Sequence, residues 1–198
     1  MSNQPDLQQL HDAITCGDPG RSMPALVALR EATVEEAVPL LLVGLEQEAF
    51  LVRSLSCAGL GVKCNEAGRQ ALVRALERDS DPNVRAEAAN SLVNHGLEQA
   101  WPLLLEAFRR DQEWLLRCSV LSAVAEHPEA RPEKLLELAS LAIEASDGTV
   151  RVGGTEILGR LVREGQEPFV ASARALLQRL QADPDHRVVG AALNGLQT

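Results

Sequence analysis

The stretch Asp81-Pro82-Asn83-Val84-Arg85, with Leu92 seven residues after the arginine, decides the fold because it recurs along the chain. The other copies are Val52-Arg53, Leu116-Arg117, Val150-Arg151 and a degenerate one that carries Val189 in place of the arginine. The arginine positions are 32, 32 and 34 residues apart, and Val189 follows 38 residues later. A period in this range is typical of stacked units that cannot bury their apolar faces alone.

An acidic residue stands four positions before each of the last four arginine positions, namely Asp81, Glu113, Asp147 and Asp185. Such a residue can cap the helix that follows and is favourable at the positive end of its dipole. Apolar residues then follow at helical spacing, as in Leu116, Val120 and Val124. We therefore expect a helix, called helix B, at each copy, although the first copy has Ala49 at the cap.

A second helix, called helix A, is expected before each helix B. Thr33 and Glu36 form a capping box before the apolar run 37–45, whose proline-containing pattern returns at 100–105. Helix A, turn and helix B make one unit, and the units are placed at 34–64, 65–96, 97–127, 131–164 and 167–197, after a degenerate unit at 5–32. No segment alternates with period two, so we predict no sheet. The predicted fold is all-α, a right-handed α–α superhelix forming one domain over 1–198.

Composition and charge restrict the possible functions. The longest apolar run, 37–45, is far shorter than the roughly 20 residues that span a bilayer, so we expect a cytoplasmic protein without a membrane span. The net charge is −9, and no basic cluster is longer than Arg109-Arg110. Nucleic-acid binding requires a dense basic patch, so we expect no nucleic-acid partner.

No arrangement of residues typical of catalysis is found. The four cysteines form no Cys-x-x-Cys pair, although Cys57 and Cys64 are seven residues apart and are expected on one helix face. The four histidines precede Asp, Gly, Pro and Arg, so the His-Glu pairs of di-iron helical-repeat enzymes are absent from the sequence. We therefore predict no catalytic residues, no metal and no cofactor, and regard buried apolar thiols as the better interpretation of the cysteines.

The arginine column has two interpretations. Stacking would place Arg53, Arg85, Arg117 and Arg151 in a ladder. The ladder could bind anions, or each arginine could pair with an acid such as Asp81, Glu113 or Asp147. The structural interpretation is favoured because a partly buried arginine needs such a partner.

Helix B is expected to line the concave side of the solenoid, with core positions at −1, +3 and +7 from the arginine. The outward positions +2, +5 and +9 then make a candidate partner-binding surface of Glu87, Asn90, Asn94, Ser119, Ser122, Glu126, Glu156 and Arg160. In the first copy they hold Leu55, Ala58 and Val62, an apolar start to a polar stripe. Trp114, in the turn before helix B, is either an interface anchor or a plug between repeats. Plain solvation is the alternative for the polar stripe.

Residues 81–92, behind a helix like 37–45, resemble the short HEAT-like repeat of phycobilin lyases, and the resemblance covers about 34–197. Segment 111–124 is similar to the phycobilisome-degradation proteins of the "non-bleaching B" type. The resemblance implies a protein-binding module that assists bilin attachment, detachment or subunit handling, with a phycobiliprotein subunit or a linear tetrapyrrole as partner. Any enzymatic activity would be bilin lyase-like, but no catalytic motif carries over. The alternative is a non-catalytic adaptor or assembly scaffold unconnected with pigments.

Overall fold

The computed structural model describes residues 6–197, and none of these residues lies in a strand. Twelve α-helices occur in this range: α1 (Leu7–Ile14), α2 (Pro19–Ala28), α3 (Val34–Leu45), α4 (Phe50–Val62), α5 (Glu66–Arg78), α6 (Pro82–Leu92), α7 (Leu97–Arg110), α8 (Trp114–Glu126), α9 (Pro132–Ala142), α10 (Gly148–Glu164), α11 (Phe169–Leu180) and α12 (His186–Leu196). Two 3₁₀ turns, Leu29–Glu31 and Val93–His95, follow α2 and α6. None of the helices in the described range combines the length and apolar character needed to cross a membrane.

The helices form consecutive A and B pairs. The pairs α3–α4, α5–α6, α7–α8, α9–α10 and α11–α12 lie within the five predicted units, so the predicted order of elements is confirmed. The degenerate first unit is a real pair, α1 and α2, although its predicted start at residue 5 lies outside the described residues. Predicted prolines inside helices A are present in α3 (Pro39) and α7 (Pro102).

Most of the predicted helix caps are present. The carboxylates of Asp81, Asp147 and Asp185 accept hydrogen bonds from the first backbone N–H groups of α6, α10 and α12. The predicted cap by Glu113 is wrong, because its side chain makes no cap hydrogen bond. Instead, the N–H of Glu113 donates to the carboxylate of Asp111 over 3.0 Å. The turn before α8 is therefore held by a residue two positions earlier than predicted.

The chain divides into two compact units, one up to Ala107 and one from Phe108, with the boundary inside α7. In the first unit the B helices pack in sequence, α2 on α4 and α4 on α6, while α1, α3 and α5 form the other layer. The predicted core positions of α4 and α6 are confirmed: Val52, Leu60, Val84 and Leu92 are all buried.

The second unit repeats the arrangement with α8, α10 and α12 as the B layer and α9 and α11 as the A layer. Its core positions are also confirmed, since Leu116, Val124, Val150 and Leu158 are buried. Gly154 occupies the middle core position of α10. A Cβ atom there would lie 2.6 Å from Cβ of Ala142, so the missing side chain lets α9 and α10 approach closely.

Candidate functional site

The predicted partner-binding residues lie in both units, and all but Asn94 are on B helices. In the first unit Glu87 and Asn90 are on α6, and Asn94 is in the 3₁₀ turn that follows. In the second unit Trp114, Ser119, Ser122 and Glu126 are on α8, and Glu156 and Arg160 are on α10. The surface therefore has two parts, each of which has its own geometry.

In the second unit a groove of about 370 Å³ runs between α8 and α10, and we call it the α8–α10 groove. Its lining consists of Leu121, Ser122, Ala125, Glu126, Gly153, Glu156, Ile157, Arg160 and Arg163. Four of the predicted residues, Ser122, Glu126, Glu156 and Arg160, are thus brought together. The floor is apolar and the rim is charged.

Gly153 explains why the groove is open. A Cβ atom at Gly153 would lie 3.0 Å from Cδ1 of Leu121, tighter than an ordinary van der Waals contact. Because Gly153 has no side chain, α10 can lie close to Leu121 of α8 at the base of the groove. The space above Leu121 that a side chain would fill stays empty. Gly153 stands at the outward +2 position of its repeat, so this position contributes no side chain to the predicted surface.

The charged rim is only partly neutralised by its own residues. Arg160 donates from Nη1 to the backbone oxygen of Ala125 and from Nε to the carboxylate of Glu164. Arg163, Glu126 and Glu156 form no ion pair within the described part of the chain. The rim therefore offers one guanidinium and two carboxylates to a ligand or a partner.

The predicted surface of the first unit is less accessible. Glu87 and Asn90 are half-buried, and only Asn94 is exposed. Burial raises the pKa of the Glu87 carboxyl, while its hydrogen bond with Ser91 opposes the shift. Glu87 also helps to raise the pKa of Cys57, a residue of α4, so it lies toward the neighbouring B helix. Its carboxyl is consequently less available to a partner than the sequence pattern suggests.

The apolar start of the stripe forms a small pocket in the first unit. Leu55, Ala58 and Val62 of α4 line a cavity of about 70 Å³ together with Leu26 and Arg30. Val62 is 65% exposed, in agreement with its predicted outward position. Sequence reasoning missed the contribution of α2 because the motif is too degenerate there to show which residues face α4.

The arginine ladder is structural for two arginines, but with partners other than those predicted. Arg53 donates from Nε and Nη2 to Asp79 over 2.8 and 3.0 Å. Arg151 makes the same pair of bonds to Asp183 over 2.9 and 3.0 Å. For Arg53 and Arg151 the prediction of an acidic partner in a neighbouring repeat is confirmed. The cap residues given as examples, such as Asp81 and Asp147, are not the partners, because those carboxylates accept from the helix N-termini. The true partners stand two residues before the caps of the next repeat.

Trp114 is 49% exposed at the first position of α8. A residue that plugged the gap between repeats would be mostly buried, so its exposure favours the interpretation as an interface anchor. Ser119 is half-buried on the same helix.

No cysteine lines the α8–α10 groove or the small pocket of the first unit. Cys57 is buried, and burial raises its pKa to about 12. The prediction that Cys57 and Cys64 lie on one face of the same helix is wrong. Helix α4 ends at Val62, and Cys64 lies beyond it.

All four cysteines are free. The prediction of buried thiols is confirmed for Cys57 but is wrong for Cys16 and Cys64, which are exposed, and Cys118 is half-buried. Residues 6–197 contain no group of three or more His, Cys, Asp or Glu side chains arranged for a metal.

We expect reductant and chelator to leave the melting temperature unchanged within about 1 °C, because neither a disulfide nor a metal would contribute to folding. Thermal unfolding followed by circular dichroism, with and without dithiothreitol or EDTA, measures this. A loss of helicity on adding chelator, or a stoichiometric metal in the purified protein, would contradict the prediction.

Comparison with known proteins supports the fold. A family model described as HEAT repeats matches residues 38–125. A chain in the structure of the complex of CpcE and CpcF of phycocyanin lyase from Nostoc sp. PCC7120 is similar, with 20% identity and a TM-score of 0.60 over 98% of this chain and 77% of that chain. No curated protein matches the sequence. The predicted all-α HEAT-repeat architecture is thereby confirmed.

Proposed function

We propose that this chain is a protein-binding HEAT-repeat module that acts on phycobiliproteins. Its role would be to assist bilin attachment, bilin detachment or the handling of a subunit. The observation that carries the proposal is the similarity of fold, over 98% of the chain, to a chain from a phycocyanin lyase complex. The resemblance of the 81–92 repeat to those of phycobilin lyases supports the same class of partner.

The α8–α10 groove is the proposed contact surface for this partner. Leu121, Ala125 and Ile157 give it an apolar floor, and the rim carries charged and polar groups. Protein interfaces combine an apolar centre with a polar rim in the same way. The free rim charges, Arg163 with Glu126 and Glu156, would fix the orientation of the partner rather than supply most of the affinity.

A linear tetrapyrrole is a second ligand that fits the groove chemically. It carries propionate carboxylates, pyrrole N–H groups and a flat apolar body. Arg163 can pair with a carboxylate, and Glu126 and Glu156 can accept from N–H groups. The apolar floor suits the flat body. The protein partner and the pigment could then be handled at one surface.

Ser122→Trp is expected to weaken binding of an isolated phycocyanin subunit at least about tenfold, because the indole would fill the groove at an exposed position. Helicity should be unchanged, since Ser122 lies off the core positions. Isothermal titration calorimetry measures the affinity. Absorbance titration with a free bilin tests the second ligand with the same variant.

The matched control is Ser172→Trp, which places an indole at an exposed position of α11, in the A layer. It should bind as the wild type does. Equal loss in both variants, or no loss in Ser122→Trp, would reject the groove as the contact surface. If the wild-type protein binds neither phycocyanin subunits nor bilin, the proposed function is wrong and the adaptor or scaffold alternative replaces it.

A further inference from the structure

In two repeats, one aspartate in the turn between helices A and B binds both its own turn and the arginine of the preceding repeat. This turn position is the residue two before the helix-B cap, and it is Asp79 in one repeat and Asp183 in another. Each carboxylate accepts the N–H of its cap residue, over 2.9 Å for Asp79 and 2.8 Å for Asp183. Each also binds the arginine of the preceding helix B through two hydrogen bonds. The carboxylate thus joins a turn to the repeat before it.

The turn before α10 has alanine, Ala145, at this position. The N–H of Ala145 donates to the carbonyl of Ala142 over 3.1 Å, and that of Asp183 donates to Leu180 over 3.1 Å. Ala145 is buried, and the side chain of Asp183 is nearly buried. The turn before α10 thus shares this backbone hydrogen bond with the turn before α12, but it has no carboxylate at the turn position.

The arginine of the preceding helix B is Arg117, and its hydrogen bonding differs accordingly. Its Nε donates to the backbone oxygens of Phe108 and Asp111 over 3.1 and 2.9 Å, and its guanidinium lies 5.1 Å from the centre of the Phe108 ring. Neither Nη atom of Arg117 has a hydrogen-bond acceptor among residues 6–197. In Arg53 and Arg151, by contrast, both Nη atoms donate.

The geometry points to a carboxylate site that is completed in trans. We propose that an aspartate or glutamate side chain of the partner protein binds the Nη atoms of Arg117 and supplies the acid that Ala145 does not. Arg117 is half-buried, and the Nη donors of its guanidinium, which have no acceptor among residues 6–197, match a carboxylate in charge and in planar geometry. Trp114, one helical turn before Arg117, offers an exposed apolar surface to residues that flank the acid. This inference rests on the proposed protein-binding function and specifies the chemistry of the bound side chain.

The test uses the peptide acetyl-Leu-Asp-Leu-amide, with the asparagine analogue as control. In the wild-type protein, the aspartate peptide should shift the NMR signals of the Trp114 indole N–H and the Arg117 Nε–H saturably at millimolar concentration. The asparagine peptide should not. Trp101, the other of the two tryptophans, is the internal reference and should not shift.

Ala145→Asp provides the sharpest variant, because it places an internal carboxylate where Asp79 and Asp183 stand. It should bind the peptide at least about tenfold more weakly than the wild type, as expected for loss of one charge-assisted pair. Ala145→Ser, which adds a small neutral side chain, should retain binding. Arg117→Gln removes the charge and should lose peptide binding. This variant still tests the site if Ala145→Asp does not fold.

An absent shift in the wild-type protein, or equal shifts in the wild type and in Arg117→Gln, would overturn the carboxylate site. Binding of the peptide together with failure to bind phycocyanin subunits would reject the proposed function and keep the site. If the protein binds phycocyanin subunits but Arg117→Gln binds the peptide as the wild type does, the carboxylate site is rejected and the proposed function is kept.

Discussion

Arg151→Met is expected to lower the free energy of unfolding by about 2–4 kcal/mol, because it leaves the Asp183 carboxylate without its partner in a nearly buried position. The side chains of Arg151 and Asp183 are only 13% and 8% exposed. Methionine keeps most of the aliphatic stem, so the loss reports on the ion pair rather than on packing. Urea unfolding followed by circular dichroism measures it.

The loss should depend on pH. The hydrogen bonds from Arg151 lower the pKa of the Asp183 carboxyl below its usual value. A carboxyl whose pKa is lower in the folded state stabilises that state above its unfolded pKa of about 3.9 and ceases to do so as pH falls through the folded value. The difference between the wild type and Arg151→Met should therefore be complete at pH 7 and shrink below about pH 4.

The control for this pair is Arg179→Met. Arg179 pairs with Glu144, but the two side chains are 57% and 65% exposed, so solvent screens the interaction. The expected loss is below about 1 kcal/mol. If both variants lost the same stability, burial would not be the reason for the strength of the Arg151–Asp183 pair.

Gly154→Ala is expected to destabilise the protein by about 2–3 kcal/mol, although alanine is the better helix former. The new methyl group would lie 2.6 Å from Cβ of Ala142 and 3.1 Å from the backbone oxygen of Ala139. Neither atom belongs to the end of a flexible side chain, so α9 and α10 would have to move apart. Thermal and urea unfolding report the change.

Gly190→Ala is the matched control, since Gly190 also lies within a helix of the second unit. A Cβ atom there meets no atom within 4 Å. The substitution should stabilise by roughly 0.5–1 kcal/mol through helix propensity alone. A loss of stability at Gly190, or a gain at Gly154, would show that close packing does not control these positions.

The repeated motif was sufficient to predict the helices, their order and their core. Its core positions follow from helical periodicity, which is a local property of the sequence, and Leu116, Val120 and Val124 are buried as that periodicity requires. The capping carboxylates of Asp81 and Asp147 follow for the same reason, because a cap contacts only its own helix.

The ion-pair partners could not be predicted in this way. Arg53 reaches a turn 26 residues later and Arg151 one 32 residues later, and these distances depend on how two repeats pack. A fixed offset was available in the sequence, since the turn position stands six residues before each arginine position. This offset did not identify the partner, because the capping acid two residues later stands at an equally regular offset from the arginine position.

The candidate site was predicted in part. Ser122, Glu126, Glu156 and Arg160 do line one groove, because their positions follow the helical repeat on two neighbouring B helices. The half-burial of Glu87 and Asn90 depends on the approach of neighbouring helices, which periodicity does not specify. Arg163 escaped prediction because it stands outside the +2, +5 and +9 frame.

The carboxylate at the turn position also bears on how cooperatively the second unit unfolds. In a linear array of repeats, cooperativity arises from interactions between neighbours. The bond between Asp183 and Arg151 joins the α12 repeat to the α10 repeat, whereas Ala145 provides no such link between the α10 and α8 repeats. The latter junction lacks this nearly buried ion pair; apolar packing, the exposed Arg109–Glu137 ion pair and the hydrogen bond from Arg160 to Ala125 hold it together. A partner carboxylate bound to Arg117 would strengthen this junction, so that binding and cooperative folding of the second unit would be thermodynamically linked.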